Sequence, residues 1–260
     1  MKFYKTKFSI VQKICFSAFL IAMTVILQKV LAINYIPIVP FLRISFGGPA
    51  LIIFSSYFLG PIYGLFIGAS SDLLGYLIFD PKTSGFFPTI TCIYALLGLI
   101  SFFVFNLFKR INNKKMLYII FISILLISLI GITLFLCLNN EIKLFSSVYK
   151  INTLIRILLP SILLTLSIVL AIFIYIFDKK NASTKQYFNT YQIAASNTLI
   201  EIVVMILFGS LMKAVAFGFE TFVAIILCQM MVGFINIFIN TVLITILHRI
   251  TFKYTSNVMN

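Results

Sequence analysis

Apolar residues run along the chain in long stretches that only short polar or Pro-containing connections interrupt. Each stretch has about 20 residues, the length that an α-helix needs to cross the hydrocarbon core of a bilayer. None alternates apolar and polar residues as a strand of a membrane barrel does. We therefore expect an all-α protein. The stretches predict eight membrane-spanning helices, at residues 14–33, 44–60, 61–79, 88–108, 116–138, 157–177, 193–212 and 221–247.

The composition supports membrane insertion of the whole chain. Of 260 residues, 62% are hydrophobic and 10% are charged, whereas a soluble domain is about half apolar and a quarter charged. The mean hydropathy is +1.13. Eight spans with short connections use up almost the entire chain, so the sequence predicts an integral membrane protein with little room for a water-soluble domain.

Basic residues outnumber acidic ones, 20 Lys and Arg against 6 Asp and Glu. Most of them cluster in the connections 2–13, 109–115, 179–185 and 249–253, which an even number of predicted spans separates. All four clusters then lie on one side, which the positive-inside rule identifies as the cytoplasm. This predicts a multi-pass protein of the cell membrane with both termini cytoplasmic, and it disfavours nucleic acid as a partner. The absence of Trp and the abundance of Phe, Ile, Asn and Lys suggest a bacterial source.

The motifs of several enzyme classes are missing. There is no glycine-rich phosphate loop ending in Lys and Ser or Thr, so the chain does not hydrolyse ATP by that route. The four cysteines have no C-x-x-C spacing, and His248 is the only histidine. We find no set of residues for catalysis or metal binding, and we predict a protein that is not an enzyme and needs no cofactor.

The fifth and sixth predicted spans differ from the others. Their intramembrane polar residues are limited to Ser, Thr and Cys, and the loop 139–156 between them is the longest in the chain. We interpret residues 111–185 as a transmembrane hairpin inserted into a six-helix unit formed by residues 1–110 and 186–260.

Small residues and one carboxylate share a face of the third span. Gly64, Gly68, Asp72 and Gly75 follow at helical spacing. Small residues at such positions let neighbouring helices approach closely, so helix packing is the simpler interpretation of the glycines. Asp72 is different, because a carboxylate inside a span is costly and normally faces a partner or a cavity. It is a structural or a functional anchor.

Other candidates lie near the ends of the first helices. Ala18 and Ala22 form a small-residue pair that suits a helix contact. Lys29 either extends to the headgroups or points inward to an anionic ligand. Arg43 either anchors in the headgroups or binds carboxylate-like acceptors with its planar guanidinium.

The last two spans carry several amides and one acid. Asn197 and Glu201 are four residues apart and share a helix face. Gln229, Asn236 and Asn240 lie in the final span. Such side chains often bond across helices, and a contact with a ligand is the alternative for each.

Three motifs occur along the chain in the same order as in a known protein family. They are Leu-Arg-Ile-Ser-Phe-Gly at 42–47, Phe-Leu-Gly-Pro-Ile-Tyr-Gly at 58–64, and Gly-Ala-Ser-Ser-Asp-Leu-Leu-Gly at 68–75, and Phe-Phe-Pro at 86–88 fits as well. The chain resembles the substrate-binding (S) components of energy-coupling factor (ECF) transporters, specifically the folate-type family. The resemblance is strong over residues 14–110 and looser over 190–250.

The resemblance implies a six-helix protein that binds a vitamin from outside and has no ATPase of its own. Its partners would be the lipid bilayer, a coupling transmembrane subunit and two ATPase subunits. Ala18 and Ala22 match the alanine pair that docks on the coupling subunit, and Lys29 matches a basic position at the end of the first helix. The substrate site that we predict on this basis comprises Lys29, Arg43, Ser45, Lys82, Phe86, Phe87, Asn197, Glu201 and Gln229.

Folate is the leading ligand, with Phe86 and Phe87 covering its planar ring. Two features depart from the family: the hairpin at 116–177, and a last span without basic residues. The second departure favours another vitamin or a nucleobase-like precursor. A membrane scaffold or assembly protein, in which the polar residues only join helices, is the alternative from a different class.

Overall fold

The computed structural model describes residues 8–31, 47–79, 86–111, 113–138, 141–144, 147–180, 188–218 and 222–259. Its helices are α1 (Ile10–Val25), α2 (Gly48–Leu59), α3 (Pro61–Phe79), α4 (Pro88–Lys109), α5 (Lys114–Leu138), α6 (Thr153–Lys180), α7 (Thr190–Ile200), α8 (Gly209–Phe217) and α9 (Phe222–Met259). Two π-helical segments interrupt this order. The segment Ile26–Val30 extends α1, and the segment Glu201–Phe208 joins α7 to α8.

The predicted class, an all-α integral membrane protein, is confirmed. Seven helical stretches of the described chain are long and apolar enough to cross a membrane, one fewer than predicted, because the second predicted span corresponds to the 12-residue helix α2. A short antiparallel pair of strands, β1 (Glu141–Leu144) and β2 (Ser147–Lys150), connects α5 to α6. This pair was not predicted, because two four-residue strands leave no distinct mark in the hydropathy pattern.

Helix α2 lies at the centre of the bundle. All of its 12 residues are buried, and it packs against α1, α3, α4 and α9. At 1.5 Å per residue it is about 18 Å long, well short of the roughly 30 Å of a bilayer core. It ends at Gly60, whose φ of +117° favours glycine, and Pro61 begins α3 directly. The chain therefore turns tightly between α2 and α3.

Glycines bring α3 and α4 into close contact. A Cβ on Gly64 would come 2.8 Å from the Gly98 carbonyl oxygen and 2.7 Å from Ser56 Cβ on α2. A Cβ on Gly68 would clash with the backbone of Tyr94. Gly64 therefore packs against α2 and α4, and Gly68 packs against α4.

Helices α5 and α6 pack against α7 and α9. They form a second apolar cluster, separate from the one around α2. Polar contacts hold one end of this arrangement together. Gln192 Nε2 on α7 donates to the carbonyl oxygens of Phe108 and Ile111 at the end of α4, and Lys114 pairs with Asp178 at 2.6 Å. The interpretation of residues 111–185 as an insertion stays a prediction.

Candidate functional site

Several residues of the predicted substrate site lie outside the described part of the chain. These are Arg43, Ser45 and Lys82. Phe86 and Phe87 stand just before α4. The ring of Phe86 lies 5.2 Å from that of Tyr76 on α3 and is 41% exposed. This places an accessible aromatic side chain where α3 and α4 approach each other.

Lys29 crosses the buried face of α3. It belongs to the π-helical segment after α1, and a Cβ on Gly75 would come 2.8 Å from Lys29 Cε. Gly75 thus makes room for the lysine stem. Asp72, one turn earlier on α3, accepts a hydrogen bond from Thr91 Oγ1 of α4 at 2.7 Å. Gly75, the third small position of α3, therefore accommodates the Lys29 side chain.

Ala18 and Ala22 lie on an open face of α1. Both are exposed, and their spacing of four residues places them one above the other on the helix. Larger side chains flank them, since Ile14 is 58% exposed and Phe19 is 58% exposed. The alanines form a shallow strip on an apolar surface.

Four polar residues meet between α7 with its π-helical extension and α9. We call Asn197, Glu201, Asn236 and Asn240 the polar cluster. Asn236 Nδ2 donates to Glu201 Oε1 at 3.2 Å. Asn197 Nδ2 donates to the Ile237 carbonyl oxygen at 3.2 Å and to Thr241 Oγ1 at 2.9 Å. Asn197 and Glu201 therefore face α9, the helix that carries the other two residues of the cluster.

The close approach of these helices depends on Gly233. A Cβ there would come 2.7 Å from Ile206 Cδ1 and 3.8 Å from Glu201 Cγ. The π-helical segment that begins at Glu201 packs on α9 at this point. π-helical turns are rare and are often found at functional sites.

The polar cluster is buried but incompletely hydrogen-bonded. Its four members are at most 4% exposed. Within the described residues, Asn197 Oδ1, Glu201 Oε2, Asn236 Oδ1 and both amide atoms of Asn240 have no hydrogen-bond partner. A buried polar atom without a partner costs about 1–3 kcal/mol. The cluster is therefore suited to completion by a polar ligand.

The identity of the unpaired atoms indicates the missing chemistry. The amide nitrogens of Asn197 and Asn236 each already donate a hydrogen bond, so the atom without any partner in either amide is its oxygen. The second oxygen of Glu201 is also an acceptor. A ligand that presents N–H donors would satisfy this set. Among the described residues, no three His, Cys, Asp or Glu side chains are grouped as a metal site requires.

Gln229 lies two turns from Asn236 on α9 and contacts a lysine. With its amide oriented to match its neighbours, it donates to the Met205 carbonyl oxygen at 3.0 Å and accepts from Lys213 Nζ on α8. Lys213 is also near enough to Glu201 to interact with it electrostatically. A cation therefore stands beside the polar cluster, towards the α8–α9 end.

Sequence analysis missed Lys213 and Gln28. Lys213 interrupts the apolar stretch 211–216 twelve residues after Glu201, and a cation inside a span is itself a functional signal. Gln28 is a single amide in an apolar helix, next to the more conspicuous Lys29. Only its position in the structure distinguishes it, since its side chain is 3% exposed and lies against α2.

Comparison with known proteins gives one informative relative. The chain is 31% identical over 121 residues to the folate transporter FolT of Clostridium novyi (strain NT). The matched segment is 46% of this chain and 66% of the relative, just under two thirds of its length. No protein-family model and no solved structure matches the chain. This similarity supports the resemblance to the folate-type family of S components that the motifs at 42–47, 58–64 and 68–75 indicate.

Proposed function

We propose that this protein is the membrane-embedded substrate-binding subunit of an ECF-type vitamin importer, and that its ligand is folate. It captures the vitamin from outside and delivers it through an ATPase-driven coupling module. The observation that carries the proposal is the buried, incompletely bonded polar cluster in a membrane protein that resembles the folate-type family. In this role the chain is not an enzyme.

The chemistry of folate suits the polar cluster. The pteridine ring of folate carries an amino group next to a ring N–H, so one edge presents two adjacent donors. The carboxylate of Glu201 is a charged acceptor, and hydrogen bonds to charged groups are stronger than those between neutral groups. The oxygens of Asn197 and Asn236 extend the acceptor set. We assign the ring to this region of the protein.

The acidic tail of folate requires positive charge. Lys213 lies near the α8–α9 end of the polar cluster, and the predicted topology places that end at the outer face. Lys29, Arg43 and Lys82 are the basic residues predicted for the same role, with Ser45, Phe86, Phe87 and Gln229 completing the site. A ligand entering from outside would then place its ring deep and its tail near Lys213.

Identification of the bound ligand tests this function first. The protein is purified in detergent from cells grown in rich medium and denatured, and the released molecules are analysed by mass spectrometry. We expect folate or a reduced folate in stoichiometric amount. Release of another vitamin or a nucleobase-like compound would keep the transporter class and reject folate. Protein that is empty and that binds no added vitamin would favour the scaffold.

The exposed alanines test the coupling partner. We expect Ala18→Leu with Ala22→Leu to abolish uptake in cells, because two bulky side chains would separate α1 from the coupling subunit. Ligand binding to the purified variant should stay normal. Gly131→Leu is the matched control, since Gly131 is exposed on α5 with open space around it. Uptake at the wild-type rate by the double variant would refute this docking surface.

One observation favours a different ligand. The part of α9 inside the predicted span, 225–247, contains no Lys or Arg, and an uncharged last span suits a vitamin or nucleobase-like precursor without an acidic tail. Such a ligand would still use the polar cluster. Comparing the affinities of folate and of pterin, which lacks the tail, separates the two possibilities.

A further inference from the structure

The N-terminus of α2 is buried and has no side-chain cap. Gly47 precedes the helix with a φ of +83°, and among the described residues no side chain caps the first turn. Gly48, Pro49 and Ala50 are all buried. The first N–H groups of a helix lack intrahelical partners, and the helix dipole adds partial positive charge there. Such an end is suited to an acceptor oxygen or an anion.

The predicted topology, with the Gly60 turn at the cytoplasmic face, places this N-terminus inside the membrane. Helix α2 extends only about 18 Å from the Gly60 turn, so its first residue stops more than 10 Å short of the opposite edge of a roughly 30 Å core. Water and headgroups are distant from it, and a ligand is the more suitable source of acceptors.

A buried amide points at the same place. Gln28 is 3% exposed, and a Cβ on Gly48 would come 3.0 Å from Gln28 Cδ and 3.1 Å from Gln28 Nε2. Within the described residues, Nε2 has no hydrogen-bond partner. The unpaired atom of Gln28 is thus a donor, like the N–H groups of the α2 terminus beside it.

Helix α9 connects this position to the polar cluster. A Cβ on Gly47 would clash with Leu243 Cδ1, and Leu243 follows Asn240 by three residues. Asn236, Asn240 and Leu243 share one face of α9. Seven residues separate Asn236 from Leu243, which corresponds to about 10 Å along the helix. The α2 terminus and the Glu201–Asn236 pair are therefore within the length of one vitamin molecule.

We propose that the α2 N-terminus, Gln28 and the amide of Asn240 form a donor subsite that binds an acceptor oxygen of the ligand. This oxygen is the carbonyl oxygen of the heterocyclic ring, because the acidic tail is assigned to Lys213 on the opposite side of the polar cluster. The inference rests on the proposed function. This subsite supplies hydrogen-bond donors, whereas the residues around Glu201 supply acceptors. The site thereby recognises a molecule with donors on one part and an acceptor on another.

Substitution of Gln28 tests the donor subsite. Gln28→Leu keeps the approximate size and removes the donor, and we expect about tenfold weaker binding of folate. Gln28→Glu places an acceptor against an acceptor and should weaken binding further. Thr24→Val is the matched control, because Thr24 is buried one turn earlier on α1 and its hydroxyl bonds only its own helix, at Leu20 O.

Stability of the ligand-free protein separates binding from packing. Because Gln28→Leu removes an unpaired buried donor, it should leave the melting temperature of the empty protein unchanged or raise it. A lower melting temperature together with weaker binding would identify Gln28 as a packing residue and overturn the proposal. Binding by both Gln28 variants within about twofold of wild type, which is a free-energy change of only about 0.4 kcal/mol, would also overturn it.

A second ligand identifies the acceptor. In aminopterin an amino group replaces the ring carbonyl oxygen of folate. We expect Gln28→Leu to weaken folate binding but not aminopterin binding, because only folate presents the ring carbonyl oxygen. Equal losses for the two compounds would overturn the donor subsite. Failure of the wild-type protein to bind either compound would instead refute the proposed function, so the two failures are distinguishable.

Discussion

The polar side chains of the helix pair α5–α6 and of the pair α7–α9 differ in where they form hydrogen bonds. In α5 and α6 the hydroxyls of Ser123, Thr133, Ser161 and Thr165 each donate to a carbonyl oxygen three residues earlier in the same helix. In α7 and α9 the amides of Asn197 and Asn236 donate across the interface, and several of the remaining atoms have no partner within the described chain.

The difference distinguishes a helix pair whose hydroxyl groups are hydrogen-bonded from one in which buried polar atoms lack partners. A hydroxyl bonded to its own helix satisfies itself and requires nothing from its surroundings. The unpaired oxygens between α7 and α9 cost free energy as long as the protein is empty. A bound ligand that supplies the missing hydrogen bonds would remove this cost. The comparison therefore supports the proposal that α7–α9 recognise the ligand and that α5–α6 give structural support.

The largest expected effect is on Glu201. Glu201→Leu should weaken folate binding by about 100-fold or more, because the only carboxylate of the polar cluster supplies a charged acceptor. Isothermal titration of the detergent-solubilised protein measures it. Glu201→Gln, which retains one oxygen, should give an intermediate loss. Unchanged affinity in Glu201→Leu would show that the polar cluster serves helix packing and not ligand binding.

The next effect concerns Lys213 and depends on the ligand. Lys213→Met should weaken folate binding about tenfold, since a charged hydrogen bond contributes about 1.5–3 kcal/mol. Binding of pterin, which has no acidic tail, should change little. Lys213→Arg keeps the charge and should retain most of the affinity. Equal losses for folate and pterin would show that Lys213 acts through Glu201 rather than on the tail.

The smallest effect on binding is expected in the hairpin. Leu125 on α5 is 5% exposed and its neighbour Leu126 is 51% exposed. Leu125→Ala should lower the free energy of unfolding by about 1–3 kcal/mol through lost packing, while the dissociation constant for folate stays within about twofold of wild type. Leu126→Ala, which faces outward, should change neither. A large loss of affinity in Leu125→Ala would extend the binding site into α5–α6.

Much of the candidate site could be anticipated from single residues, but the hydrogen bonds between its helices could not. Glu201 and Asn197 were predicted as neighbours because their spacing of four residues defines a helix face. Their partners Asn236 and Thr241 are 35 and 44 residues away, and their pairing depends on how α7 and α9 are rotated about their axes. Hydropathy carries no information on that rotation when, as in α9, apolar residues surround the helix.

Local sequence suffices to locate most membrane-spanning helices, because the bilayer acts on each 20-residue segment separately through its average hydropathy. Seven spans and the all-α class follow from it, whereas the second predicted span is only the short helix α2. Tertiary packing decides the rest: the short α2 enclosed on all sides, Gln28 over Gly48, and Lys213 beside Gln229. It also sets the two π-helical segments, which carry Gln28, Lys29 and Glu201. These features arise from contacts between distant helices, and no local pattern of residues encodes them.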